Sequence, residues 1–91
     1  MTLQETIKLD EMYYMNTFGS RTPIQFTHGK GSVLYDTDGK AYLDFLAGIA
    51  VNSLGYGHPT LVKVIQEQAE RLLHCSSLFY IEAQSKLAKL A

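Results

Sequence analysis

A small α+β unit is the fold class that the apolar pattern predicts, and three observations carry it. Leu61, Ile65, Ala69 and Leu72 recur at helical spacing. Residues 32–35 and 40–45 are two short runs rich in Val, Leu, Tyr and Phe. Asp36-Thr37-Asp38-Gly39 stands between those runs as a turn. With 91 residues, the chain has room for one small core, since a domain of this size withdraws only about 60–65% of its unfolded surface from water. It is one domain or part of one.

The elements follow in chain order. Thr2-Leu3-Gln4-Glu5 has the capping-box form, which predicts a helix over about residues 2–14 with loosely periodic Leu3, Ile7, Met12 and Met15. Residues 19–23 break it. Pro23 biases Thr22 towards extended geometry, and residues 24–27 are expected to continue as a strand. The hairpin at Asp36-Thr37-Asp38-Gly39 and a third extended piece at residues 48–52 complete a β-meander over about 24–52. Gly55-Tyr56-Gly57 is a loop in which glycine permits close backbone approach. Pro59 suits the first position of a helix over about 59–74, with His58 at the cap and Glu67 four residues ahead of Arg71. After a break at Cys75-Ser76-Ser77, a last helix is expected over about 81–91. Ala83, Leu87, Leu90 and Ala91 are still in phase at the final residue, so the native gene is expected to continue. Leu61, Ile65, Leu72, Leu87 and Leu90 need partners that a three-stranded sheet covers poorly, which predicts exposed apolar surface.

Composition removes several function classes. Eight basic and nine acidic residues leave a net charge of −1, without the basic footprint that nucleic acid or an anionic membrane selects. No run approaches the roughly 20 apolar residues of a membrane span. A single cysteine, Cys75, builds no disulfide framework, and residues 1–25 hold no secretory h-region; both predict a cytoplasmic setting. Gly29-Lys30-Gly31-Ser32 lacks the first glycine and the Lys-Ser/Thr pair of a P-loop, and Gly55-Tyr56-Gly57 lacks the third glycine of a dinucleotide fingerprint. Asp36-Thr37-Asp38-Gly39 begins like a calcium loop, but Ala41 and Ala47 stand where glycine and a bidentate glutamate are needed. His28, His58, His74 and Cys75 match no zinc spacing, so no metal site is predicted. Tyr13, Tyr14, Tyr35 and Tyr42 are read as amphipathic core and interface residues.

One uninterrupted block, residues 29–59, runs Gly-Lys-Gly-Ser-Val-Leu-Tyr-Asp-Thr-Asp-Gly-Lys-Ala-Tyr-Leu-Asp-Phe-Leu-Ala-Gly-Ile-Ala-Val-Asn-Ser-Leu-Gly-Tyr-Gly-His-Pro. It resembles the N-terminal signature of the class III aminotransferases, which use pyridoxal 5′-phosphate (PLP). The resemblance extends from about Met12 to Ala91 and implies the opening part of such an enzyme: a helix, a small antiparallel sheet and a long helix of the minor domain of a fold-type I PLP-dependent transferase. It further implies a cytoplasmic homodimer whose small-molecule substrates are an amine donor and 2-oxoglutarate. Among the donors, Gly48-Ile49-Ala50-Val51-Asn52 fits N-acetylornithine, a step of arginine biosynthesis, better than the aromatic versions of ornithine or diaminopelargonate enzymes. Ornithine, succinylornithine, 4-aminobutyrate and diaminopelargonate are the alternative donors within the family. A non-enzymatic interaction module that kept only the minor-domain framework is the alternative outside it.

The same resemblance implies site residues. Gly48, Ile49 and Ala50 match the segment that lines the substrate pocket, with Ile49 placed against the substrate. Asn16-Thr17-Phe18-Gly19-Ser20-Arg21-Thr22-Pro23 resembles the family's Thr-Tyr-x-Arg-x-Pro stretch, with Phe18 in the tyrosine's place and Arg21 one residue later. For Arg21, substrate contact and a solvated or interface charge carry equal weight. Ser76, Ser77, Leu78, Phe79 and Tyr80 resemble the segment that approaches the active site near the dimer interface, Ser77 standing where the family has asparagine. None of Lys8, Lys30, Lys40, Lys63, Lys86 or Lys89 sits in the Schiff-base context. The chain is therefore expected to hold no catalytic or cofactor-binding residue, to bind no PLP by itself and to be inactive alone.

Overall fold

A computed structural model describes all 91 residues, Met1–Ala91. They divide into two units, Met1–His58 and Pro59–Ala91. The first holds α1 (Leu3–Tyr13), β1 (Phe26–Lys30), β2 (Val33–Asp36), β3 (Ala41–Leu43) and a single turn, α2 (Ala47–Ala50). The second holds α3 (Pro59–Arg71) and α4 (Glu82–Leu90). This is the α+β composition that the sequence predicts. No helix is long and apolar enough to cross a membrane.

In α1 the capping box forms as expected: Glu5 N–H donates to Thr2 Oγ1 at 3.2 Å and Thr2 N–H to Glu5 Oε2 at 2.8 Å. Hydrogen bonds from the Thr2 backbone and the Thr2 side chain hold the Glu5 carboxyl below its ordinary value. The helix closes with Tyr14 N–H donating to Asp10 O at 2.9 Å.

The sheet is antiparallel, in the order β1-β2-β3. Val33 faces Leu43, Leu34 faces Tyr42 and Tyr35 faces Ala41, and a bulge lies between Phe26 and His28. The first strand begins at Phe26, not at residue 24 as the sequence predicts. Ile24 N–H turns back to Thr22 O at 2.8 Å, a three-residue turn about Pro23 that takes the donor the ladder would need.

Between β2 and β3, Asp36 organises the hairpin. Its Oδ1 accepts from Asp38 N–H and Lys40 N–H, each at 2.9 Å, and its Oδ2 accepts from Tyr42 Oη at 2.9 Å. Partial desolvation raises the Asp36 carboxyl, but the donors from Lys40, Tyr42 and Asp38 outweigh it and hold the group below its ordinary value of 3.8. A depressed carboxyl adds stability that is complete above the unfolded-state value and lost as pH falls through the folded-state value. Acid loosening of the hairpin is therefore expected below about pH 4. NMR titration of the side-chain carboxyl, with Asp36→Asn flattening the acid limb of unfolding, checks it; an unchanged acid limb refutes it.

Four further expectations are corrected. The meander ends at Leu43, and residues 47–50 are a left-handed turn, with φ of 53°, 61°, 67° and 61°, instead of an extended piece. Helix α3 stops at Arg71, short of residue 74, and the Gln68 side-chain amide satisfies a carbonyl just past its end, donating to Leu72 O at 2.9 Å. Glu67 pairs with Lys63 at 3.9 Å, one turn back, instead of with Arg71. The His58 imidazole does not cap α3 through Nδ1, which has no hydrogen-bond partner. Helix α4 matches its expected range, with Ile81 extended at the cap and Glu82 paired to Lys86.

No residue of the chain is buried, so the one small core that the length allows does not form within these residues. Leu73, Leu87 and Leu90 are exposed by 82%, 67% and 85%. A chain with 46% hydrophobic residues thus keeps its apolar stripes uncovered, as the sequence predicts.

Candidate functional site

The Ala47–Ala50 turn is built from a carboxylate. Asp44 ends the β3 ladder with its N–H donating to Ser32 O at 2.8 Å. Its Oδ1 then accepts from Leu46 N–H and Ala47 N–H, both at 2.9 Å, and its Oδ2 from Tyr56 Oη at 2.5 Å. The Tyr56 hydroxyl and the Ala47 and Leu46 amides hold the Asp44 carboxyl below its ordinary value, and the same bond raises the Tyr56 phenol. Beyond this clamp the backbone winds left-handed, closed by Ala50 N–H to Leu46 O and Val51 N–H to Ala47 O, both at 2.8 Å.

Left-handed geometry costs a residue with a Cβ about 1–2 kcal/mol. Ala47, Ile49 and Ala50 all carry it, and β-branched Ile49 is the least suited of the three. Such a conformation persists only where its surroundings over-determine it, and it clusters at functional sites. Within this turn Ile49 is 78% exposed, with Gly48 and Ala50 small on either side.

Tyr56 is held from the sheet. Gly31 N–H donates to Tyr56 O at 3.0 Å and Tyr56 N–H to Gly31 O at 2.9 Å. A Cβ on Gly29 would stand 2.6 Å from Tyr56 Cγ, and one on Gly55 would stand 2.6 Å from Gly31 O. The close approach expected of the Gly55-Tyr56-Gly57 loop is therefore present.

Within Met1–His58, Phe18 and Arg21 take their contacts from residues other than this turn. Arg21 pairs with Asp10 at 2.8 Å and sits 4.8 Å over the Tyr14 ring, whose centroid is 5.9 Å from that of Phe18. Arg21 also lines a groove of about 370 Å³ beside α1, together with Leu3, Ile7 and Pro23; Gly48, Ile49 and Ala50 do not line it. In the second unit, Ser76 adopts φ 71° and its Oγ accepts from Leu78 N–H at 3.3 Å. That turn leaves Leu78, Phe79 and Tyr80 exposed by 87%, 67% and 103%. Sequence reasoning missed Asp44 and Tyr56. The available signal was an aspartate two and three residues ahead of the amides it binds, followed by small residues at 47, 48 and 50.

The residues present do not fit PLP. All six lysines are exposed; Lys63 and Lys86 pair with glutamates and Lys40 lies 5.1 Å over the Tyr42 ring. None is enclosed where a Schiff base could be held.

The model of the family "Aminotransferase class-III" matches residues 14–91. An acetylornithine aminotransferase of Caldanaerobacter subterraneus subsp. tengcongensis is 50% identical over 84 residues, covering 92% of this chain and 21% of the relative. That of Methanocaldococcus jannaschii is 47% identical over 89 residues, covering 98% and 22%. The crystal structure of N-acetylornithine aminotransferase from Stenotrophomonas maltophilia superposes with a TM-score of 0.77 at 34% identity, over 92% of this chain and 21% of that one. Taurine:2-oxoglutarate aminotransferase from Bifidobacterium kashiwanohense, solved in complex with PLP and glutamate, superposes at 0.83 with 28% identity, over 99% and 21%. The chain thus spans about a fifth of the length of the relatives it matches. On the match over residues 14–91, the chain belongs to the class-III aminotransferases.

Proposed function

We propose that these residues are the N-terminal part of a PLP-dependent aminotransferase that moves the terminal amine of N-acetylornithine to 2-oxoglutarate, a step of arginine biosynthesis. The single observation that supports a substrate-lining role is the left-handed turn that presents Ile49 to solvent between two small residues. The curated relatives named above are acetylornithine aminotransferases, which favours that donor. In this reading the segment contributes to the minor domain, and its uncovered stripes, including Leu61, Ile65, Leu87 and Leu90, pack against the rest of the enzyme. The Schiff-base lysine and the phosphate site belong to residues beyond these 91, so the segment by itself is inactive and retains no PLP. The complete enzyme is a cytoplasmic homodimer, with Ser76, Ser77, Leu78, Phe79 and Tyr80 near the dimer interface and Phe18 and Arg21 near the substrate.

The test is a donor panel on the complete enzyme, with 2-oxoglutarate as acceptor. The kcat/KM for N-acetylornithine is expected to exceed those for ornithine and 4-aminobutyrate by at least about tenfold, the discrimination a pocket of fitted shape supplies. Equal or faster turnover of ornithine would move the protein to another donor class.

A further inference from the structure

The clamp around Ala47–Ala50 has a role that its family membership does not assign. We propose that Asp44 and Tyr56 are positioning residues: together they hold the left-handed turn and so fix where Ile49 meets the amine donor. This rests on the reading of Ile49 as a substrate-lining residue.

The geometry carries it in three steps. The turn has no intrinsic preference in its favour, since three of its four residues carry a Cβ at positive φ. The two amides at its start, Leu46 N–H and Ala47 N–H, are both taken by one oxygen of Asp44. The other oxygen accepts from Tyr56 Oη, and Tyr56 is itself anchored by its backbone pair with Gly31 and by the close fit of its ring on Gly29. Position is thus transmitted from the sheet, through a phenol and a carboxylate, to the backbone that carries Ile49. Neither Asp44 nor Tyr56 needs to touch the substrate. Asn52 Nδ2 donates to Tyr56 Oη at 3.5 Å and adds a weaker stay from the far side of the turn.

The experiment uses the complete enzyme and the variants Asp44→Ala, Tyr56→Phe and Ala50→Gly. Asp44→Ala is expected to raise KM for N-acetylornithine on the order of tenfold, the scale of a displaced substrate contact, while the bound-PLP absorbance is retained. Tyr56→Phe, which leaves the amide bonds of Asp44 in place, is expected to shift KM in the same sense by less. It carries the test should Asp44→Ala fail to fold. Adding Ala50→Gly, which removes a Cβ from the left-handed region, is expected to restore most of the lost KM in the Asp44→Ala background. A merely structural loss of stability would lower the amount of active enzyme, and so the apparent kcat, while leaving KM unchanged. An unchanged KM in both single variants, or no rescue by Ala50→Gly, overturns the proposal. Thermal midpoints separate it from the donor assignment. If the wild-type enzyme uses no terminal amine, the functional reading fails, yet a clamp still predicts that Ala50→Gly raises the midpoint more in the Asp44→Ala background than in wild type. Equal gains overturn the clamp itself.

Discussion

Gly55→Ala is expected to destabilise the complete enzyme by about 2–5 kcal/mol, combining the left-handed penalty with overpacking against a fixed backbone. Gly55 has φ +75°, and a Cβ there would stand 2.6 Å from Gly31 O and 3.0 Å from Gly31 C. Both are backbone atoms that cannot swing aside as a side chain would. Relief requires the two backbone segments to part, which breaks the isolated Gly31–Tyr56 bridge of 3.0 and 2.9 Å and loosens the phenol that clamps Asp44. Gly39→Ala is the control. Its φ is +80° with nothing within 4 Å of the added Cβ, so it should cost only the conformational part, about 1–2 kcal/mol. Denaturant unfolding of both variants decides the matter: equal losses would show that the close approach at Gly31 does not constrain the fold.

Ile49→Tyr is expected to lower kcat/KM for N-acetylornithine by about 10–100-fold, because added bulk intrudes on the donor. PLP binding should persist, since no residue of this chain is expected to hold the cofactor. Ile49→Gly is the sharper variant. It removes a β-branched side chain from φ 67°, so the relief of left-handed strain offsets the entropy that glycine costs, about 0.5–1 kcal/mol. Turnover should fall while the thermal midpoint holds or rises. If Ile49 were instead a core residue of the complete enzyme, its truncation would cost about 2–5 kcal/mol or more. A sharply lowered midpoint with unchanged kinetics would therefore place Ile49 in the core and remove it from the pocket.

The local rules were legible wherever neighbouring residues alone set the geometry. Thr2 and Glu5 specify their own capping box, and Asp36 and Gly39 their own hairpin turn, because each partner lies within four residues. The same locality made the range of α4 readable. The errors fall where a competing local partner takes a hydrogen bond or an ion pair. Ile24 spends its N–H on a turn about Pro23, Gln68 reaches forward to the Leu72 carbonyl, and Glu67 chooses Lys63 over Arg71.

Residues 47–50 show the division most clearly. Alternation of small and apolar side chains reads as an extended strand, and nothing in the propensities of alanine or isoleucine favours positive φ. What selects the left-handed turn is Asp44 held by Tyr56, twelve residues away in sequence, a contact that exists only once the sheet has brought Gly31 beside Tyr56. The amino-acid sequence by itself determined the α+β class, the caps, the hairpin and the resemblance that names the family, since these are short-range or pattern properties. Only the tertiary structure decided the strained turn, the outward placement of Ile49 and the absence of a core within the chain, because each depends on contacts, or missing contacts, between residues far apart in sequence.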